Sequence, residues 1–420
     1  MTVQLEPGVL DLYRRHLSSG RARLAAMTGA QQEVSSHGAH VWDSTGRQYL
    51  DCGGYGVFLV GHTHPAVVEA VVAQVRTHPM ATRLLLEPTM AYAAEALAAV
   101  APAGLDRVHF VNSGAEAVEA AIKLARMNGK PRLVSMTGGY HGKTMGALTL
   151  TARDLYQEPF RPLLPDAVHV PFGDVDALTS VLTTQCCVVV EPVQAEGGVL
   201  IPPAGYLAEV ERLCRSAGAF LVLDEVQTGL GRLGSWWGAD RDGVCPDVLL
   251  VGKGLSGGVV PVAAMVASET AYAPFNRDPF IHTSTFGGSP IAMAAARAAI
   301  ETITRECLVE RAAALGDVLL AGLRGIVARR CPSLVVDVRG AGLLIGVEAR
   351  DEHVAGALVL ELIDRGVLVN HSLNAHRVVR LTPPAVLTQA DVDWLLTAFE
   401  DASTALAAAH DLSEGAACDT

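Results

Sequence analysis

The 420-residue chain contains only four lysines, at positions 123, 130, 143 and 253, so a nucleophilic amine can be sought by elimination. Lys123 falls within the helical run EAVEAAIKLAR and Lys130 in the turn NGKP, where a solvated charge is the ordinary explanation. Lys143 follows YHG in a loop and stays a candidate for substrate contact. Lys253 comes directly after the apolar β-run VLLVG and before the Gly-rich stretch GLSGG, so its amine emerges at a strand end in apolar surroundings. Desolvation there lowers the pKa of an amine and frees its lone pair, as Schiff-base formation with a carbonyl compound requires. A buried lysine paired with an acid would occupy the same position, and position alone does not separate the two.

A carbonyl cofactor makes further demands. Pyridoxal phosphate withdraws electrons only while its ring nitrogen stays protonated, which calls for a carboxylate beside that nitrogen. FLVLDEVQTGLGR ends a buried strand on Asp224, and Gln227 follows at a spacing that reaches a ring hydroxyl. An unpaired buried aspartate is costly, so a cationic partner is expected. Metal binding by Asp224 and Glu225 is the rival reading, weakened because no His or Cys lies at ligand spacing; no metal is expected. The phosphate needs backbone N–H groups at a helix start, and FVNSGAEAVEAAIKLAR offers a strand, a turn at Ser113 and Gly114, then a helical run. Ser-Gly is equally a plain turn and cap. Tyr140, in GGYHGKT, can stack on a ring, and a core tyrosine would look the same.

These residues need strands and helices to hold them. Between about 105 and 270, short apolar β-runs alternate with helical stretches, which predicts an α/β unit with a largely parallel sheet buried on both faces. Ligands of such sheets gather at the carboxyl ends of strands, where Asn112, Ser113, Glu191, Asp224 and Lys253 fall. After a helix beginning near Ser289 the pattern becomes a smaller α+β unit. The expected organisation is an N-terminal segment, 1–50, packing with a C-terminal small domain, 306–410; a large domain, 51–305; and a disordered polar tail, 411–420. Residues 248–268 carry one charge over a length that could span a bilayer, but their glycines and Pro261 suit two buried strands joined by a functional loop. VVDVRGAGLLIG imitates a dinucleotide fingerprint, yet a β-like run follows its glycines instead of a helix. The histidines of GHTHP read as part of a loop.

With half its residues hydrophobic, the chain can bury a large core. A net charge of -12 argues against nucleic acid and for small ligands. The eight cysteines are scattered without a CxxC pair, which reads as free thiols in a reducing compartment. The first residues, MTVQLEPGVLDLYRRH, lack a secretory pattern, so the expected location is cytoplasmic, with no membrane association.

In order, these pieces resemble the class-III, or ω-, aminotransferases of pyridoxal-phosphate fold type I, among them the acetylornithine and ornithine aminotransferases, from about residue 37 to 400. The resemblance rests on GVFLVGHTHPAV (56–67), VNSGAEAVEAAIKLAR (111–126), GGYHGKTMGAL (138–148), EPVQAEGG (191–198), LDEVQTGLGR (223–232), GKGLSGG (252–258), HTSTFGGSPIA (282–292), VRGAGLLIGVE (338–348) and VVRLTPP (378–384). It implies a large domain with a mainly parallel central sheet plus a smaller α+β domain. It also implies that Lys253 holds the cofactor, Asp224 pairs with the pyridine nitrogen, Gln227 approaches the ring hydroxyl and Tyr140 stacks on the ring. Ser113, Gly114 and Ala115 would cradle the phosphate, with His141 and Glu191 near the cofactor. Thr285 would reach the phosphate of a neighbouring subunit, making a homodimer with a shared active site. Arg380 and Glu196 resemble the family's gating pair, in which the arginine binds a substrate carboxylate and otherwise rests on the glutamate. The implied reaction moves an amino group from a donor, glutamate, to an aldehyde or ketone by a ping-pong route; an aminomutase or racemase on the same scaffold is the alternative. The sequence departs from the family at Lys143, where members acting on ornithine-like substrates carry arginine. Tyr55, beside Gly53 and Gly54, stands where the family often contacts substrate, and leaves room for a bulky acceptor such as a modified peptide terminus.

Overall fold

The computed structural model describes the backbone of residues 8–418 and the side chains of residues 8–410. It contains fifteen strands among the described residues: β1 (Glu33–His37), β2 (His40–Asp43), β3 (Gln48–Asp51), β4 (Leu105–Val111), β5 (Arg132–Met136), β6 (Ala167–Val170), β7 (Cys186–Val190), β8 (Phe220–Asp224), β9 (Val248–Val251), β10 (Ala263–Ser268), β11 (Val335–Ala341), β12 (Leu344–Ala349), β13 (Val367–Leu368), β14 (Asn370–Ser372) and β15 (Ala375–Leu381).

Seven of them form the central sheet, in the order β4-β10-β9-β8-β7-β5-β6. The pairs β6/β5, β5/β7, β7/β8 and β8/β9 are parallel. Every residue of β7, β8 and β9 is buried. Because successive side chains of a strand point to opposite faces, Val188, Leu221 and Leu249 join one apolar cluster and Val189, Val222 and Leu250 another. The helix Gly114–Met127 covers the second face with Ala117, Val118, Ala121, Ile122 and Leu124. A strand buried on both sides is apolar throughout, which accounts for the continuous runs VLLV and CCVVV.

The one reversal in this largely parallel sheet is β10, antiparallel to both β9 and β4. Parallel neighbours need a crossover of a dozen or more residues, usually a helix. The link 252–262 carries only the short turn Lys253–Ser256, so the chain doubles back. This apolar stretch is thus two strands and a loop, and among the described residues no helix is long and apolar enough to cross a membrane.

A second sheet, β11-β12-β15-β14, is antiparallel throughout. Gly342 makes the β11–β12 turn with φ +51, so the glycine-rich run forms a hairpin and opens no helix. Helices Leu308–Arg330 and Glu352–Asp364 pack on this sheet, and Gln389–Cys418 lies against both helices. The last helix stays regular to Cys418, where a disordered tail was expected from 411. The alanine-rich run TALAAAHD has high helix propensity and carries the helix onward. Residues 419–420 lie outside the described part, as do 1–7. In the third sheet, β1-β2-β3-β13, the parallel pairing of β3 with β13 joins the N-terminal segment to the chain after residue 366.

Candidate active site

The parallel strands leave their carboxyl ends on one edge of the sheet, and a cavity of about 350 Å³ opens there. Its wall takes Glu191 from the end of β7, Asp224 from the end of β8 and Lys253 just beyond β9. Tyr55, Gly114, Ala115, Tyr140, His141, Lys143, Glu196 and Gln227, all expected at the site, line it as well. Lys253 is largely enclosed and open toward the cavity, with φ +44, a left-handed conformation that costs a non-glycine residue about 1 kcal/mol. Burial pushes its pKa below the ordinary lysine value, against the opposing pull of Glu196 and Asp224.

Asp224 has the partner its burial demands. Its Oδ2 lies 2.7 Å from His141 Nδ1, and Oδ1 accepts from the Val226 N–H at 3.1 Å. Burial, the largest influence on His141, works to lower its pKa, but the hydrogen bond and charge of Asp224, helped by Glu191, win and raise it. Glu191 accepts from the Tyr140 N–H at 2.8 Å, and burial raises its pKa to about 7. Glu225, the other half of the rival metal reading, turns to the main chain: it accepts from the Gly238 and Ala239 N–H groups at 2.9 and 2.8 Å and from the Thr228 hydroxyl.

Arg380 on β15 is fully buried, and its Nη1 lies 2.6 Å from Glu196 Oε1. The contact is an ion pair without hydrogen-bond geometry, and none of Nε, Nη1 and Nη2 has a hydrogen-bond partner. Gln227 is buried with both amide atoms unpartnered, and its Nε2 sits where a Cβ on Gly56 would be only 2.0 Å away. A Cβ on Gly114 would stand 2.9 Å from Val226, so the backbone at this helix start comes close to the cavity wall only because the residue is glycine. Lys143 Nζ rests 3.9 Å from the Tyr156 ring centroid, a cation–π contact.

Three expected residues do not line the cavity of their own chain, and Arg380 reaches it only through its contact with Glu196. Ser113 caps the helix Gly114–Met127 by accepting from the Glu116 N–H. Thr285 lies on an exposed loop, its carbonyl held by Arg83. Conversely, Gly142, Ala195, Val226 and Leu373 line the cavity without having been singled out. Val226 lies between Asp224 and Gln227, and its place in that motif was the available signal. Leu373 comes from the distant β14–β15 turn and had none.

The model of the class-III aminotransferases matches residues 28–403. The chain belongs to this family. A putrescine aminotransferase of Pectobacterium atrosepticum is 41% identical over 398 residues, covering 92% of this chain and 83% of that one. The ornithine aminotransferase of Toxoplasma gondii superposes with a TM-score of 0.85 at 31% identity, over 96% of this chain and 99% of the other. An (S)-enantioselective ω-transaminase from Thermomicrobium roseum gives 0.85 at 29% identity, over 95% and 98%. This class-III aminotransferase is accordingly a pyridoxal-phosphate-dependent enzyme of fold type I. The cavity suits that cofactor. The orphaned amide of Gln227, the glycine-lined helix start at Gly114 and the Asp224–His141 pair each present a group that an aromatic, phosphorylated, protonated ring would satisfy.

Proposed function

We propose that the aminotransferase works through Lys253 and Asp224, with one substrate bearing a carboxylate that Arg380 receives and a second lacking it. The observation that carries this is the buried Arg380–Glu196 ion pair, whose glutamate lines the cavity together with Lys253. A buried guanidinium whose nitrogens make no hydrogen bond is expensive unless something occupies it. Glutamate fits as the carboxylate-bearing amino donor. The second substrate is then an aldehyde, or in reverse a primary amine, that leaves Arg380 resting on Glu196. The putrescine aminotransferase relative supports a diamine-type amine. Tyr55, 57% exposed at the cavity mouth, leaves space for something larger, including a modified peptide terminus.

Ser113, Gly114 and Ala115 would hold the cofactor phosphate, Asp224 its ring nitrogen and Gln227 its hydroxyl, with Tyr140 on its face and His141 and Glu191 beside it. When bound, pyridoxal phosphate supplies the electron sink that stabilises the carbanion left by loss of the substrate proton. Lys253 Nζ, whose lowered pKa favours the free amine, holds the cofactor at rest and, once released, takes that proton and returns it. His141 donates to Asp224 and holds its carboxylate in orientation. Lys143 and Tyr55 stand at the substrate end.

A homodimer completes the site. Leu84, Leu85 and Leu86 are 90%, 79% and 101% exposed, and Arg83 ties their loop to the one carrying Thr285 and the exposed Phe280 and Phe286. Such an apolar surface supports burial against a second copy, with Thr285 passing to the partner's cofactor. A cytoplasmic location is supported by the free thiols of the described cysteines.

The test begins with Lys253→Ala, which should abolish turnover and the absorbance of covalently held cofactor; full activity would overturn the assignment. Converting the wild-type cofactor with glutamate and then screening carbonyl compounds for its return identifies the acceptor. An enzyme blind to glutamate would remove it as donor.

A further inference from the structure

Glu196 is gripped from two sides by a single hairpin. Arg380 on the stem of β15 meets Oε1, while the Leu373 N–H at the β14–β15 turn donates to Oε2 at 2.8 Å. The next residue repeats the grip on the main chain, the Asn374 N–H donating to the Glu196 carbonyl at 2.9 Å. The turn itself is tied down. Asn374 Nδ2 donates to the Gly138 carbonyl at 2.9 Å and, more weakly, to that of Gly139, just before Tyr140. The Tyr156 hydroxyl donates to the Leu373 carbonyl at 3.2 Å.

The two members of the ion pair are therefore unequal. Arg380 makes one ion-pair contact and no hydrogen bond from any of its three nitrogens, whereas Glu196 is fixed by main-chain donors that cannot swing away. Once Arg380 turns to a substrate carboxylate, Glu196 would be left as a buried anion, and an uncompensated buried charge is strongly unfavourable. The Leu373 N–H is the donor that remains. We propose that the Leu373–Asn374 turn is a positioning element for substrate selection: it holds Glu196 in place while Arg380 moves, so the site can accept a carboxylate-bearing substrate without stranding the glutamate. This rests on the reading of Arg380 as the carboxylate receptor. The turn is needed most when Arg380 is engaged elsewhere and least when the ion pair is closed, so its loss should separate the two substrate classes.

The experiment uses the holoenzyme of wild type, Asn374→Ala, Tyr156→Phe and Arg380→Met, titrated with glutamate and, as a carboxylate-free probe of the same cofactor, with hydroxylamine. The absorbance of bound cofactor before titration reports whether each site is intact. Asn374→Ala should raise the glutamate concentration for half-conversion about tenfold and leave the hydroxylamine rate within about twofold. Tyr156→Phe, which removes one hydroxyl and is the milder change to the fold, should act in the same direction to a smaller extent. Equal effects on both reagents, or no effect in either turn variant while Arg380→Met still selectively impairs glutamate, would overturn the proposal and leave the Arg380 reading standing. If Arg380→Met does not single out glutamate, the reading of Arg380 fails and the role of the turn fails with it.

Discussion

His141 Nδ1 lies 2.7 Å from Asp224 Oδ2, and neither side chain has appreciable contact with solvent. The two residues are distant in sequence and meet because the loop after β5 and the end of β8 share one edge of the sheet. Removing one member of a buried pair costs about 3–5 kcal/mol, since the other charge is left without compensation. His141→Ala should therefore lower the unfolding free energy by about 3 kcal/mol in denaturant titration. Asp224→Asn, which keeps shape but loses the charge, should lower kcat by roughly a hundredfold or more while the cofactor still binds.

Gln227 carries the opposite expectation for stability and function. Both ends of its amide are buried and unpartnered, a desolvation cost of about 1–3 kcal/mol while no ligand satisfies them. Gln227→Leu should raise the Tm of the cofactor-free protein by a few degrees and weaken cofactor affinity. A fall in apoprotein Tm would contradict this.

Glu225 gives a pH signature remote from the cofactor. Burial is the dominant influence and lifts its pKa from 4.5 to about 7, although Thr228 and two main-chain N–H groups pull it down. Between those values the folded protein holds a proton that the unfolded chain has released. The stability from this group is thus complete below pH 4.5 and declines as pH rises through 7. Relative to Glu225→Gln, wild type should lose about 3 kcal/mol of stability between pH 4.5 and 8, whatever the constant offset between the two proteins. Parallel pH curves would refute the assignment.

Leu85 tests the apolar loop. Leu85→Asp should shift the sedimentation profile from dimer toward monomer and reduce activity at low protein concentration, with the Tm of the monomeric fold changed little because the side chain is 79% exposed within one chain.

The sequence made Lys253 legible because the chain has so few lysines, and Asp224 because a buried β-run ended on an acid. What it hid was direction and distance. The run PVAAMVA reads the same in either orientation, since a strand buried on both faces carries no polar edge, and only the short link 252–262 turns β10 antiparallel. His141 was expected near the cofactor but not as the partner of Asp224, because the contact depends on two loops of different strands. Asn374 leaves no trace at all: its bonds go to backbone carbonyls, which every residue possesses. The helix that continues past 410 was obscured by polar residues that tolerate helix without demanding it.

Thr285 stands on an exposed loop and lines no part of the cavity that contains its own Lys253. On the dimer proposed above, each site draws on two polypeptides, so two inactive alleles, one altered at Lys253 and the other at Thr285, would rescue each other when co-expressed. Half of the sites in a mixed dimer would inherit both lesions and half would inherit neither.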